Sequence, residues 1–194
     1  MRLRRKAAPS ALSEATGVDS ATEEVDDVAR IDLGSMLVPH LEGRDVRVQV
    51  DEASGAVRSV VMVAEEGAVE FAAFAAPRNG DLWSTLRPQI VEDVLGRGGR
   101  ATEREGRWGT ELMCIVPVTQ PDGTQSAQPS RMVAISGDRW VLRGTFFGRP
   151  AVEPAAESEW DEALAKVVVR RGSAAMPAGE PLPLTLPENA RRTN

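Results

Sequence analysis

Apolar and polar residues alternate along segment 45–50, with valine at every second position. This period is typical of a β-strand with one buried face. Short turns rich in acidic residues and glycine follow, and segments 56–63 and 68–75 then return as further apolar runs. Because a parallel crossover needs a longer connection, the three strands are predicted to form an antiparallel meander.

A four-residue apolar period replaces this alternation after Asp81 and predicts an amphipathic helix. The apolar positions are Leu82, Leu86, Ile90 and Val94. Pro88 lies among them, so a kink or a short opening turn is expected before the main part of the helix. The glycine-rich run 96–99 ends the helix, since glycine readily takes the left-handed cap conformation.

A second meander is predicted beyond this helix, followed by a second helix over residues 156–170. Its strands are 101–105, 110–119, 131–135 and 139–147. The last of them carries large apolar side chains at both odd and even positions, which predicts a central strand buried on both faces. The fold class is therefore α+β: an antiparallel sheet of about seven strands in two meanders (βββ-α-ββββ-α), with the helices packed on one face.

The two ends of the chain differ from this patterned region. Residues 1–30 are small and polar, with cations in the first six positions and carboxylates after them, and they predict a disordered, charge-segregated tail. Residues 31–172 are expected to form a single α+β domain. Residues 173–194 are Pro-rich and predict an extended tail, which either packs its leucines over the sheet as a strap or serves as a ligand for a partner's groove.

Composition bounds the class of protein. A chain of 194 residues fits one domain, and its formal net charge of −6 disfavours nucleic-acid binding. The sequence has no apolar run long enough for membrane insertion. A lone cysteine and the absence of an apolar signal segment favour a cytoplasmic location. Only Lys6 and Lys166 are lysines among the 23 basic residues, a skew typical of a genome of high G+C content.

The inventory of catalytic side chains is small. His40 and Cys114 are the only residues of their types, and tyrosine is absent. A single histidine excludes a two-histidine metal site, and the sequence predicts no cofactor. The glycine run after the first helix closes that helix instead of opening one, so it is interpreted as a cap and not as a phosphate-binding loop. An enzymatic role is therefore uncertain, and the balance is against it.

Arginines and tryptophans gather in the second meander and at its exit, where they form a candidate interaction surface. Its members are Arg131, Arg139, Trp140, Arg143 and Arg149. The alternative is an ordinary solvated face, because arginine is nearly the only cation in the chain. A candidate cleft is expected where Glu111 and Arg131 meet on neighbouring strands beside Trp108.

Eight ordered runs together resemble the actinobacterial domain-of-unknown-function family 3710, over about residues 30–187. The runs are 30–35, 46–51, 74–78, 108–112, 128–131, 139–140, 148–151 and 182–187. The resemblance implies a cytoplasmic family with no established activity, cofactor or catalytic residues. The order of the two meanders is similar, more loosely, to the Mog1/PsbP-like α+β fold.

Three functions follow as expectations. The leading one is a non-enzymatic protein-binding or adaptor module with a protein partner. The alternative is a small-molecule or nucleotide-binding protein, or an enzyme, that uses the cleft lined by arginine and glutamate. RNA binding through the arginine face is disfavoured by the net charge.

Overall fold

Strands dominate the part of the chain that the computed structural model describes, which comprises residues 27–51, 55–78 and 81–187. The strands are β1 (Arg30–Asp32), β2 (Met36–Pro39), β3 (Asp45–Val50), β4 (Val57–Ala64), β5 (Gly67–Ala75), β6 (Arg100–Gly106), β7 (Gly109–Thr119), β8 (Gln125–Gly137), β9 (Trp140–Gly148) and β10 (Val168–Val169). The helices are α1 (Leu82–Gly96), α2 (Arg149–Val152) and α3 (Pro154–Ala165).

Seven strands form one antiparallel sheet in the order β3-β4-β5-β9-β8-β7-β6. Each meander pairs through its own short turns, and the two join where β5 lies beside β9, from Gly67 opposite Gly148 to Ala75 opposite Trp140. The predicted α+β class and its two meanders are confirmed. The last strand of the second meander, β9, is the fourth of the seven and therefore central.

The helices cover both faces of this sheet, which corrects the expectation that they share one. Leu82 and Trp83 of α1 pack with Val141 of β9 in one apolar cluster. Trp160 of α3 packs with Leu142, the next residue of β9, in the other. The reason lies in the central strands: both their odd and even positions are apolar, and each apolar face needs a cover. We call the two sides of the sheet the α1 face and the α3 face.

Asp81 caps the N-terminus of helix α1, and its carboxylate accepts a hydrogen bond from the backbone N–H of Ser84 at 3.2 Å. Pro88 lies inside one helix that continues to Gly96. The second predicted helix is shorter than the 156–170 expected, because α3 ends at Ala165. The β-branched residues beyond it favour extended backbone, and two of them form β10 beside β2.

A second, three-stranded sheet of order β1-β2-β10 lies beyond the α3 face. Leu33, Met36 and Val38 are fully buried between it and the main sheet's cluster. Arg30 opens β1, and the rest of the predicted disordered tail, up to residue 26, lies outside the described residues.

The Leu-Pro segment packs on the sheet as a strap. At Ala73 and Ala75 the neighbour of β5 is the strap instead of β4: the Leu182 N–H donates to the Ala73 carbonyl, and the Ala75 N–H donates to the Glu180 carbonyl, each at 2.8 Å. Leu182 is buried in the α3-face cluster. Of the two interpretations given for this segment, the structure shows the strap geometry.

Candidate binding groove

The two charged residues of the candidate cleft meet, but inside the protein. Arg131 on β8 donates from Nη1 to Oε1 of Glu111 on β7 at 3.3 Å, and both lie on the α3 face. The side chains are 1% and 2% exposed, respectively. Gly106 makes this possible, because a Cβ at that position would overlap with the Glu111 carboxylate. No ligand from solvent reaches a pair buried this deeply.

Further groups surround this pair and form hydrogen bonds with its remaining polar atoms. Arg131 also donates from Nη2 to Asp161 of α3 and from Nε to the Pro150 carbonyl. Arg104 on β6 donates to Glu111 at 2.8 Å and to Glu157 of α3. The network thus fastens α3 to three strands of the sheet. We call it the ionic core: Arg104, Glu111, Arg131, Glu157 and Asp161.

Burial and hydrogen bonding shift the pKa values of Asp161 and Arg104 in the ionic core. Desolvation raises the pKa of Asp161 above its ordinary value, although the hydrogen bond from Arg131 opposes this rise. Hydrogen bonds to Glu157 and Glu111 raise the pKa of Arg104, so this guanidinium stays charged. The guanidinium of Arg131 lies 4.3 Å from the ring centre of Phe146, which covers its planar face.

Trp108, the third residue of the candidate cleft, lies in the turn between β6 and β7. It is half-buried and packs against the α3-face cluster. The guanidinium of Arg107 lies 5.0 Å from its ring centre. The structure therefore brings all three residues to one side of the sheet without opening a cleft between Glu111 and Arg131.

The five residues of the candidate interaction surface are spread over the molecule. Arg131 and Trp140 are buried on the α3 face, with 1% and 2% exposure. Arg139 lies in the β8–β9 turn with a positive φ of 59° and pairs with Asp138 next to it. Arg149 is exposed at the start of α2, where it pairs with Glu153.

Arg143 is the member of this set that lies on the α1 face. It stands on β9 opposite Ala72 of β5 and Ala134 of β8, and both neighbours are too short to cover it. Its guanidinium lies 5.3 Å from the ring centre of Phe74. Strand parity accounts for the separation from Trp140, since these two residues are an odd number of positions apart.

A groove of about 570 Å³ runs between α1 and this face of the sheet, and Arg143 is one of its walls. Helix α1 packs mainly on β6 and β7, and residues of β9 and β5 on the same face line the groove beside it. The apolar side chains of the groove are Phe74, Leu86, Ile90, Val116, Met132 and Phe147. All of them are half-buried, so the apolar part of the groove remains reachable from solvent.

The guanidinium of Arg143 has no hydrogen-bond or ion-pair partner among the described residues, and its Nε is buried without one. Desolvation lowers the pKa of Arg143, whereas the negative charge of Glu70 on β5 opposes this change. Glu70 stands opposite Thr145, two positions along the sheet from Arg143, and also lines the groove. Buried donors of this kind are costly unless an acceptor reaches them.

The same face continues, uncovered by α1, across the first meander. Val61 of β4 pairs with Glu70 on one side and with Arg47 of β3 on the other, so all three share this face. Val61 is half-buried and Arg47 is exposed. The groove therefore opens onto a broad surface of mixed polarity instead of ending in a closed pocket.

Sequence reasoning missed several of these residues. Asp161 completes the ionic core from a helix far along the chain, and no spacing rule connects it to Arg131. Glu70 and Phe74 line the groove from β5. The sequence did indicate that the two side chains share one face of this strand, because they are an even number of positions apart. That signal became meaningful only when the register placed β5 beside β9.

The remaining chemical candidates lie apart from the groove and from each other. Cys114 is buried in the α1-face cluster, and desolvation raises the pKa of its thiol. His40 is exposed beyond β2. Within residues 27–51, 55–78 and 81–187, no group of three or more His, Cys, Asp or Glu side chains is placed to hold a metal ion. In the same ranges, no helix is both long and apolar enough to cross a membrane.

Comparisons with known proteins place the chain in a family. The comparison with curated proteins gave no match. The solution structure of the cyanobacterial PsbP protein (CyanoP) from Synechocystis sp. PCC 6803 is similar, with 12% identity and a TM-score of 0.41. The alignment covers 73% of this chain and 92% of that one. A family model described as "Protein of unknown function (DUF3710)" matches residues 18–193, and the chain therefore belongs to the DUF3710 family.

Proposed function

We propose that the chain is a non-enzymatic protein-binding module that takes a segment of a partner protein into the groove beside α1. One observation carries the proposal: the groove beside α1 holds a guanidinium that has no hydrogen-bond or ion-pair partner among the described residues. Grooves that combine apolar side chains with a few polar groups are common sites of binding.

The shape of the groove supports a protein partner. It is bounded by α1 on one side, and on the other side the same sheet face continues from β5 onto β4 and β3. Aromatic rings and an arginine at the centre, with polar groups such as Gln89 and Gln128 at the rim, match the usual anatomy of interfaces.

A second candidate function is the binding of a small molecule in the same groove. The unpaired donors of Arg143 favour it, because an anionic ligand satisfies them as well as a protein does. The ionic core gives no such support, since Glu111 and Arg131 are occupied by each other and by Asp161.

Site-specific photo-crosslinking in the host cell tests the proposal. A benzophenone amino acid replaces Gln89 of α1 or Gln128 of β8, which lie at the rim of the groove, and Val152 in the control variant. Val152 is 52% exposed and belongs to α2, on the opposite side of the sheet. We expect one discrete protein adduct from both groove positions and none from the control.

Adducts from all three positions, or from none, would contradict a protein partner in the groove. Thermal-shift measurements with small anionic metabolites separate the second candidate. A stabilisation of wild type that is lost in Arg143→Met, together with no protein adduct, would favour small-molecule binding instead.

A further inference from the structure

The guanidinium of Arg143 is a planar group of hydrogen-bond donors in the groove. No acceptor among the described residues binds these donors. No described residue accepts a hydrogen bond from its guanidinium, and none pairs with it within ion-pair distance. Guanidinium groups remain protonated in proteins even when burial disfavours the charge. A partly buried, charged guanidinium without an acceptor does not help to hold the fold together.

The charged neighbours of the groove do not replace the missing acceptor. Asp93 of α1 lies 3.8 Å from Arg97, one turn further along the same helix. Glu70 acts on Arg143 through its charge alone, from the diagonal position on β5. The groove therefore contains one guanidinium that is left over and no carboxylate in contact with it.

The groove around this guanidinium is lined by both apolar and polar side chains, with Glu70 and Thr145 among the polar ones. The ring centre of Phe74 lies 5.3 Å from the guanidinium, and Leu86 and Ile90 of α1 supply apolar side chains to the same groove. A carboxylate is the acceptor whose geometry matches a guanidinium, with two parallel hydrogen bonds. An occupant that satisfies both features carries one carboxylate among aliphatic or aromatic groups.

We propose that the groove recognises a partner segment in which a single Asp or Glu side chain is flanked by apolar side chains, and that Arg143 binds this carboxylate. This inference rests on the proposed function and specifies the chemistry of the partner. Apolar contact supplies a surface for the segment, while the carboxylate fixes its register and excludes segments that carry a cation at that position.

A random linear peptide library, displayed on phage and panned in parallel on the full chain and on Arg143→Met, tests the inference. We expect the wild type to enrich apolar peptides with one acidic residue and the variant to enrich apolar peptides without that preference. The best wild-type peptide is then synthesised with its acidic residue and with the corresponding amide, Asn or Gln.

The four affinities form a double-mutant cycle. The amide peptide should bind wild type at least tenfold more weakly than the acidic peptide, and the two should differ less than threefold on Arg143→Met. Arg143→Lys keeps the positive charge but loses the paired donors of the guanidinium. Its preference for the acidic peptide over the amide peptide should lie between those of wild type and Arg143→Met. Glu70→Gln removes a like charge beside the bound carboxylate and should tighten the acidic peptide severalfold. Backbone amide shifts in the bound state should map to β5, β9 and α1.

Several outcomes would overturn the inference. Enrichment of neutral peptides in the groove would refute the carboxylate and leave the protein-binding proposal standing. Acidic peptides whose shifts map to the α3 face would refute the role of Arg143. Octanoate that saturates the groove while no peptide binds would indicate a small-molecule site, and both proposals would then fail together.

Discussion

Arg131 and Arg143 are a matched pair on opposite faces of one sheet. They lie on adjacent central strands, and each guanidinium stacks on a phenylalanine, at 4.3 Å and 5.3 Å from the ring centre. Arg131 is bonded to two carboxylates and a carbonyl oxygen. Arg143 has no such partner among the described residues. Residue type and aromatic stacking are thus similar. Arg131 is buried and Arg143 is half-buried beside the groove, and the two differ in their acceptors.

This difference separates a structural arginine from a candidate binding arginine. The charge of Arg131 is compensated from three elements, so its removal disturbs the fold. Arg143 was left without compensation where α1 stops covering the sheet, so its removal should disturb recognition instead. The comparison predicts opposite consequences for the same substitution at the two positions.

The largest effect is expected for Arg131→Met. The substitution leaves the carboxylate of Asp161 buried without the guanidinium that binds it, and it leaves Glu111 with Arg104 alone. Breaking a buried ion pair by removing one partner typically costs about 3–5 kcal/mol. The free energy of unfolding, measured by urea titration with tryptophan fluorescence, should fall by that amount. A loss below about 1 kcal/mol would show that the ionic core does not stabilise the fold.

A triple variant provides the control for this measurement. Arg131→Met combined with Glu111→Leu and Asp161→Leu removes the unpaired charges together with the arginine. Buried ion pairs replaced by apolar residues of similar volume are often neutral. We therefore expect the triple variant to recover most of the stability that the single variant loses.

The next effect tests the strap that closes the α3 face. Leu182 is 4% exposed in the α3-face cluster, and Leu182→Ala should lower the free energy of unfolding by about 2–5 kcal/mol. Leu186 is the matched control, because it belongs to the same segment and is 46% exposed. Leu186→Ala should change stability by no more than about 0.5 kcal/mol. Equal effects of the two substitutions would argue against the strap geometry.

A smaller effect concerns pH and the ionic core. Because burial raises the pKa of Asp161 above 3.8, the folded protein retains this proton at pH values where the unfolded chain has lost it. The contribution of Asp161 to stability therefore falls as pH rises from about 3.8. Urea titrations of wild type and Asp161→Asn over a pH series should show wild type losing stability relative to the variant across this range.

Asp122 supplies the contrast with opposite sign. Hydrogen bonds from the side chain and backbone of Thr124 lower the pKa of Asp122, so its contribution is present above pH 3.8 and is lost on acidification. Relative to Asp122→Asn, wild type should gain stability as pH rises. Slopes of the same sign for Asp122 and Asp161 would contradict the assigned causes.

The smallest effect on stability is expected for Arg143→Met. The substitution removes a desolvated charge that has no partner and keeps a flexible apolar side chain against Phe74. The free energy of unfolding should stay within about 1 kcal/mol of wild type or increase. A loss as large as that of Arg131→Met would mean that Arg143 has an internal partner, and the contrast between the two faces would disappear.

Local pattern predicted the fold well because most elements are encoded locally. The alternation of valines predicted β3 at the observed bounds, and the apolar parity of β9 predicted its central place. The alternation along β9 also places Trp140 and Arg143 on opposite faces of the sheet. The candidate interaction surface overlooked this, because its members were chosen for their closeness in sequence. Composition and nearness along the chain describe a set of residues, but only strand register assigns them to a face.

Long-range pairing limited what the sequence revealed about the site. Glu111 and Arg131 were expected to be neighbours, as the structure shows, but their burial depends on α3 and Asp161. The groove depends on how far α1 extends across the sheet, which no local pattern contains. The extent of α3 was overestimated for a related reason: pairing with β2 draws Val168 and Val169 into a strand.

The strap has a consequence for the order in which the molecule is made. Part of the edge of β5 is completed by residues near the far end of the described chain, so a growing chain produces β5 long before its last neighbour exists. Until then, the backbone groups of Ala73 and Ala75 present an open strand edge, the kind of surface that pairs with other chains. Synthesis therefore passes through a stage in which this edge of β5 lacks the neighbour that it has in the folded protein.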